Sequence, residues 1–199
     1  MTPRIRALIA PGGAVVLVAL VGALSACGDL TRPKAQQGNF TDTVAINALN
    51  FAPRNAPVAL ALFSGLAVRA DASFSFDLAF DIDANGKALL LPVRTVAGGL
   101  APSHTVGLQR SDSAFEALVK APDNKAYKYD SVFVASVGDV FVIESSDPSA
   151  CGISYYSTVF YAKLQVLSID PALHTINTRF TVDPNCGFFS LIPTGTPRD

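Results

Sequence analysis

Between Ser73 and Ile82 the chain alternates strictly. Phe74, Phe76, Leu78, Phe80 and Ile82 occupy every second position, and Ser73, Ser75, Asp77, Ala79 and Asp81 stand between them. Successive side chains of a strand point to opposite faces, so this period of two predicts a strand with one apolar and one polar face. Asn85-Gly86 comes next, and a second apolar run starts at Ala88 and continues to Val96. That dipeptide between two such runs predicts a hairpin closed by a type I′ turn, in which both turn residues take positive φ. A half-apolar strand must bury its face against another layer. Further strands are predicted at Val44 to Phe51, Val58 to Phe63, Thr105 to Gln109, Tyr127 to Ser136, Val140 to Glu144, Tyr155 to Ile169 and Thr175 to Val182. Turn chemistry separates several of them, at Val137-Gly138-Asp139, Asp147-Pro148, Asp170-Pro171 and Asp183-Pro184-Asn185.

One short helix is predicted at Ser113 to Ala121, where Ser113 and Glu116 have capping-box spacing and Pro122 stops the run. Many short strands, one helix and no βαβ alternation predict an all-β fold: an antiparallel β-sandwich or a partly open barrel. At 199 residues the chain has room for one ordinary domain with a real core.

The amino-terminal end has a different character. Arg4 and Arg6 precede an uncharged apolar stretch, Ala14 to Leu24, and Leu24-Ser25-Ala26-Cys27 follows. A positive start, an apolar centre and small residues before a cut make signal-peptide architecture, and Pro11, Gly12 and Gly13 interrupt what would otherwise read as a spanning helix. The tetrad LSAC resembles the lipobox of bacterial lipoproteins. The resemblance implies cleavage before Cys27, a diacylglyceryl thioether on its sulfur and, usually, an acylated (palmitate-type) amino terminus. Residues 1–26 are then a signal, 27–42 a lipidated flexible tether and 43–199 the β domain. The expected location is the cell envelope, membrane-anchored through lipid, with outer-membrane sorting favoured because Gly28 and not aspartate follows the cysteine.

Assigning Cys27 to lipid leaves Cys151 and Cys186 in an oxidising compartment, where they are expected to pair. Loss of Arg4 and Arg6 changes the balance of Lys+Arg to Asp+Glu from 15 against 16 to 13 against 16. That mild acidity, without any basic run, argues against nucleic acid as a partner.

Two candidate sites stand out. Asp81-Ile82-Asp83-Ala84-Asn85-Gly86 resembles the opening of a calcium loop, in which Asp81, Asp83 and Asn85 would converge on the cation. The twelfth position is Pro92, where a bidentate Glu would be needed, so a solvated hairpin turn is the alternative reading. His104 and His174 are the only histidines and are candidate ligands for a metal or haem iron, or simply polar loop residues. No H-E-x-x-H, G-x-S-x-G or Gly-rich phosphate motif is present, so no catalytic residue is assigned. Most of the thirteen Phe and five Tyr, among them the cluster Tyr155, Tyr156, Phe160 and Tyr161, are expected in the core or in cross-strand pairs, and the excess can line an apolar groove.

The segments SFSFDLAFDIDANGKALLLPVR, KYDSVFVASVGDVFVIES and FYAKLQVLSID resemble, in that order, the HmuY-like family of haem-binding lipoproteins. The matching positions are Phe76-Asp77-Leu78-Ala79-Phe80, Val142-Ile143-Glu144-Ser145 and Tyr161-Ala162-Lys163-Leu164-Gln165. The resemblance implies an all-β domain and small-ligand capture at the cell surface. His104 and His174 fall outside the positions that align to the family's iron ligands, so haem ligation is not part of what it implies. The expected function is binding of a small ligand, ion or protein partner without catalysis; the alternatives are a structural or envelope-interaction domain and an extracytoplasmic hydrolase.

Overall fold

Every strand pairing among the described residues is antiparallel, as suits short strands joined by turns. A computed structural model describes residues 34–123, 125–152 and 157–197. Its strands are β1 (Phe40–Asn47), β2 (Ala59–Ala61), β3 (Leu66–Val68), β4 (Leu78–Ile82), β5 (Ala88–Pro92), β6 (Thr105–Ser111), β7 (Phe133–Ala135), β8 (Val140–Ser146), β9 (Val159–Asp170) and β10 (Thr175–Asp183). Two one-turn helices interrupt them, α1 (Val93–Val96) and α2 (Pro148–Cys151). One sheet has the order β1-β10-β9-β8-β6 and the other β3-β2-β4-β5-β7. They form an all-β sandwich and not a closed barrel. Residues 1–26, expected to be a signal, and Cys27, Tyr155 and Tyr156 lie outside the described residues.

The core lies between the sheets. Phe141 and Ile143 of β8, Phe160, Ala162 and Leu164 of β9 and Phe180 and Val182 of β10 meet Leu60, Leu78, Phe80, Ile82 and Leu90 in one buried cluster. Aromatic edges cross the gap, with Phe63 against Phe160 at 5.3 Å and Phe133 against Phe141 at 5.8 Å.

The alternating segment is a strand only from Leu78 onward. Phe74 is in the left-handed region at φ 49°, because its N–H closes a turn on the Asp71 carbonyl. β4 is central in its sheet and all five of its residues are buried, including Asp81 on the face expected to be solvated. Asn50, in the loop after β1, covers that carboxylate and donates to it from its N–H (3.1 Å) and its side-chain amide.

The hairpin after β4 forms, but its turn is not type I′. The Gly86 N–H bonds the Asp83 carbonyl and the Asp83 N–H bonds the Lys87 carbonyl, with Gly86 at φ 77° and Asn85 outside the positive-φ region. This is a type I turn closed by a glycine bulge, the usual three-residue solution. The Asp83 carboxylate accepts the N–H groups of Asn85 and Lys87, which holds its pKa below the ordinary range.

Other boundaries also move. The strand expected to run to Val96 ends at Pro92 and turns into α1. Of Tyr127 to Ser136 only Phe133–Ala135 forms a strand, β7; before it Lys128 exchanges both backbone bonds with Leu108 at the edge of the first sheet, and Tyr127 is buried in the second apolar cluster. β1 starts at Phe40, and the Asn185 side chain already accepts the N–H groups of Gln36 and Gln37. The tether expected to reach Asp42 is therefore docked over its last residues. β3 has no alternating signal, and α2 carries a legible one in the Asp147 cap followed by proline.

The helix expected at Ser113 to Ala121 is a single turn, in which the Ala114 carbonyl takes the N–H groups of Ala117 and Leu118. It goes no further because Ala121 and Leu191 bond across to Phe189 and Val119, stitching the segment to the carboxy-terminal strap. Lys163 accounts for the carbonyls that a longer helix would have used. Fully buried on the outer face of β9, it donates from Nζ to the carbonyls of Phe115 (2.7 Å) and Leu118 (2.9 Å) and lies 4.4 Å from the Phe115 ring centre. Burial pushes its pKa down, opposed by Glu116. A second apolar cluster forms around it from Phe115, Leu118, Ala121, Val142, Tyr161 and Leu191.

Cys151 at the end of α2 is bonded to Cys186, 35 residues on, as their parity predicts. A loop of this size restricts the unfolded chain by about 4 kcal/mol in the chain-entropy model.

Lys163→Met removes two charge-assisted bonds and leaves two buried carbonyls without a donor, which should cost about 2–4 kcal/mol in urea unfolding. Hydrogen exchange should quicken first at residues 115–121. A variant as stable as the parent would show that Lys163 does not hold the outer layer.

Candidate functional site

The approach to the cleft begins with Asp77, immediately before β4. Its main chain bonds two neighbours, the N–H to the Leu60 carbonyl (2.9 Å) and the carbonyl to the Val93 N–H (3.0 Å). Its carboxylate accepts the Leu62 N–H and the Ser145 hydroxyl, both at 2.7 Å. Ser145 belongs to β8, so this bond crosses the sandwich. His104 is buried beside the same carboxylate, donating from Nε2 to the Phe76 carbonyl at 3.0 Å with Asp77 Oδ1 3.9 Å away. One aspartate thereby ties together β2, β4, the start of α1, β8 and the residue that precedes β6. Burial raises its pKa, against the lowering effects of Ser145, Leu62 and His104.

Serine, aspartate and histidine meet here without the order of a hydrolytic triad. A triad needs the imidazole between hydroxyl and carboxylate. Here the hydroxyl donates directly to the carboxylate, and Ser145 has no exposed surface. The trio braces the chain and does not activate a nucleophile.

The loop it braces lines a cleft of about 530 Å³ bounded by Arg94, Gly99 to Pro102, Thr105 and Asp130. α1 places Arg94. Gly98 (φ 58°) and Gly99 (φ 97°) then reverse the chain, in a conformation that side chains other than glycine adopt with strain. Leu100 stands 65% exposed as an apolar wall, and His104 anchors the return into Thr105. Asp130 forms the opposite side, 3.2 Å from the Arg94 Nε.

Asp130 is held by its neighbour. The Tyr129 ring lies on Gly107, where an added Cβ would come within 2.7 Å of it, and its hydroxyl donates to Glu144. Tyr161 donates to the other Glu144 oxygen at 3.0 Å. Burial first, and the Glu144 bond second, push the Tyr129 pKa up to about 12.

The residues singled out from sequence fare differently. Asp81 and Asp83 serve separate partners, Asn50 and the hairpin turn, and no group of three or more His, Cys, Asp or Glu able to hold a metal occurs among the described residues. His104 and His174 are not brought together. Thr105 pairs with Ser146 and Ser146 with Val159, the first residue of β9, whereas Thr175 pairs with Asp170, the last. The full length of β9, about 36 Å at 3.3 Å per residue, separates the two histidines, so they cannot ligate one ion or one haem. His174, at φ 53°, stacks on Phe51 with ring centres 4.0 Å apart.

Arg94, Asp130, Asp77 and Lys163 escaped sequence reading. Asp77 sits where alternation predicts a solvent face. Lys163, the single cation between Val159 and Val166, is the one position with a usable signal, since a lone charge in such a run marks either an exposed edge or a paired buried amine.

Comparison with known proteins finds no matching family model, no matching curated protein and no matching solved structure.

Asp77→Asn tests the brace through pH. A carboxyl whose folded pKa is raised binds more protons in the native than in the unfolded state, so its contribution to stability falls as pH rises above the ordinary value of 3.8. The asparagine variant lacks that dependence. The gap in melting temperature should therefore move in its favour between pH 4 and pH 7, and parallel curves would contradict a raised Asp77 pKa.

Proposed function

We propose that this chain is an exported lipoprotein, anchored in the cell-envelope membrane through Cys27, whose β-sandwich binds a small ligand in the cleft between Arg94, Leu100 and Asp130 and catalyses no reaction. The cleft carries the reading. It joins an apolar wall to a few convergent polar groups, the composition of a ligand site, and its lining loop is held from behind by buried His104 and Asp77. Preorganisation of that kind lowers the ordering cost of binding.

The anchor rests on Arg4, Arg6, the apolar stretch from Ala14 to Leu24 and the LSAC tetrad. Two or more acyl chains hold a protein on a bilayer stably, where one chain holds it only marginally. The disulfide between Cys151 and Cys186 suits the oxidising side of that membrane.

Metabolic labelling with a palmitate analogue should mark the chain, and Cys27→Ala should abolish both the label and recovery in the membrane fraction. An unlabelled parent chain would refute the anchor.

The cleft is tested separately by thermal-shift screening of the full chain in detergent against small amphipathic compounds. Binders should raise the melting temperature of the parent and leave that of Leu100→Glu unchanged. The ligand reading falls if nothing binds, or if every binder ignores Leu100→Glu.

A further inference from the structure

Three charged groups are closed to ligands: Lys163 is capped by two carbonyls, Glu144 by two tyrosine hydroxyls, and Asp77 by Leu62 and Ser145. The exposed pair Arg69 and Asp71 does not line the cleft. Arg94 and Asp130 differ. Their side chains are 45% and 70% exposed, they line the cleft, and Asp130 Oδ1 approaches Arg94 at Nε, 3.2 Å away. That approach from the Nε side leaves the Nη edge of the Arg94 guanidinium turned away from Asp130 Oδ1.

We propose that the cleft selects a small zwitterion with an apolar substituent, of the α-amino acid type; this rests on the cleft being a ligand site. The guanidinium edge left free by Asp130 offers two parallel donors, the geometry that grips a carboxylate. The other Asp130 oxygen accepts an ammonium. Arg94 and Asp130 are in contact, so a ligand that answers both must carry its own two charges within a few bonds of each other, as an α-amino acid does. A ligand with one charge would engage one of the pair and compete with the other. The substituent lies against Leu100 and Pro102, where covering an exposed leucine favours a large apolar group over hydrogen.

Isothermal titration of the full chain in detergent with L-phenylalanine and L-leucine tests this. Both should bind. N-acetyl-L-phenylalanine, which lacks the ammonium, and phenethylamine, which lacks the carboxylate, should each bind about tenfold more weakly or worse, as should glycine, which lacks the substituent. Arg94→Gln and Asp130→Asn should each weaken phenylalanine by a similar factor, with Arg94→Lys intermediate because it keeps the charge and loses the fork. Equal affinity for either single-charge analogue, or unchanged binding by Arg94→Gln, overturns the proposal. If neither amino acid binds while uncharged screening hits still depend on Leu100, the zwitterion selection is wrong and the ligand site stands. If nothing binds at all, both fail.

Discussion

The carboxylate of Asp77 is the constraint on which the cleft end of the molecule depends. A carboxylate buried between two sheets is costly unless its oxygens are satisfied, and here each oxygen has a donor, Leu62 from its own sheet and Ser145 from the other. The requirement runs both ways. Satisfying Asp77 fixes the separation and register of β4 against β8 at this point, whereas apolar contacts such as those of Phe80 or Ile143 tolerate sliding. Because its backbone carbonyl also receives the Val93 N–H, the same residue sets where β5 gives way to α1, and so where Arg94 emerges.

A second buried charge organises the opposite side of the first sheet. A simple two-layer sandwich would leave the outer faces of β8 and β9 in water, with Val142, Tyr161 and Lys163 exposed. Instead the long connection between β6 and β7 and the carboxy-terminal strap cover them, and Lys163 holds the connection by its main chain. Arg179 adds to this from β10, lying over the Phe115 ring at 4.1 Å and pairing with Glu116 at 2.8 Å. The arrangement also positions the approach to Asp130, since Tyr127 belongs to the covering layer and Tyr129 is seated on Gly107. Cleft and cover are thus mechanically related, one wall standing on Asp77 and the other on the layer that Lys163 secures.

Much of the fold was legible locally. Period-two patterning at Leu78 to Ile82 and the Asn85-Gly86 turn are properties of neighbouring residues, and so is the Asp147-Pro148 turn, which opens α2. The errors share a cause. Asp81 was placed on a solvent face because alternation reports that two faces differ, not what covers either one. Asp77 was placed there because the bend before β4, which turns it toward Ser145, leaves no local mark. Residues 113–121 read as a helix because capping spacing and Pro122 are local, while the bonds that replace the helix come from Phe189 and Lys163, far away in sequence.

The candidate site divides along the same line. Cysteine parity alone led to the pairing of Cys151 with Cys186, since an odd thiol was already assigned to lipid. No sequence rule could join Arg94 to Asp130, because their contact requires β5, β6 and the covering layer to be in place first. The sequence by itself determined an antiparallel all-β architecture and the disulfide, which follow from side-chain periodicity and cysteine chemistry. Only the tertiary structure decided which polar residues are buried, that the two histidines stand at opposite ends of β9, and where a cleft opens, because burial and long-range hydrogen bonding are properties of packed layers and not of any segment.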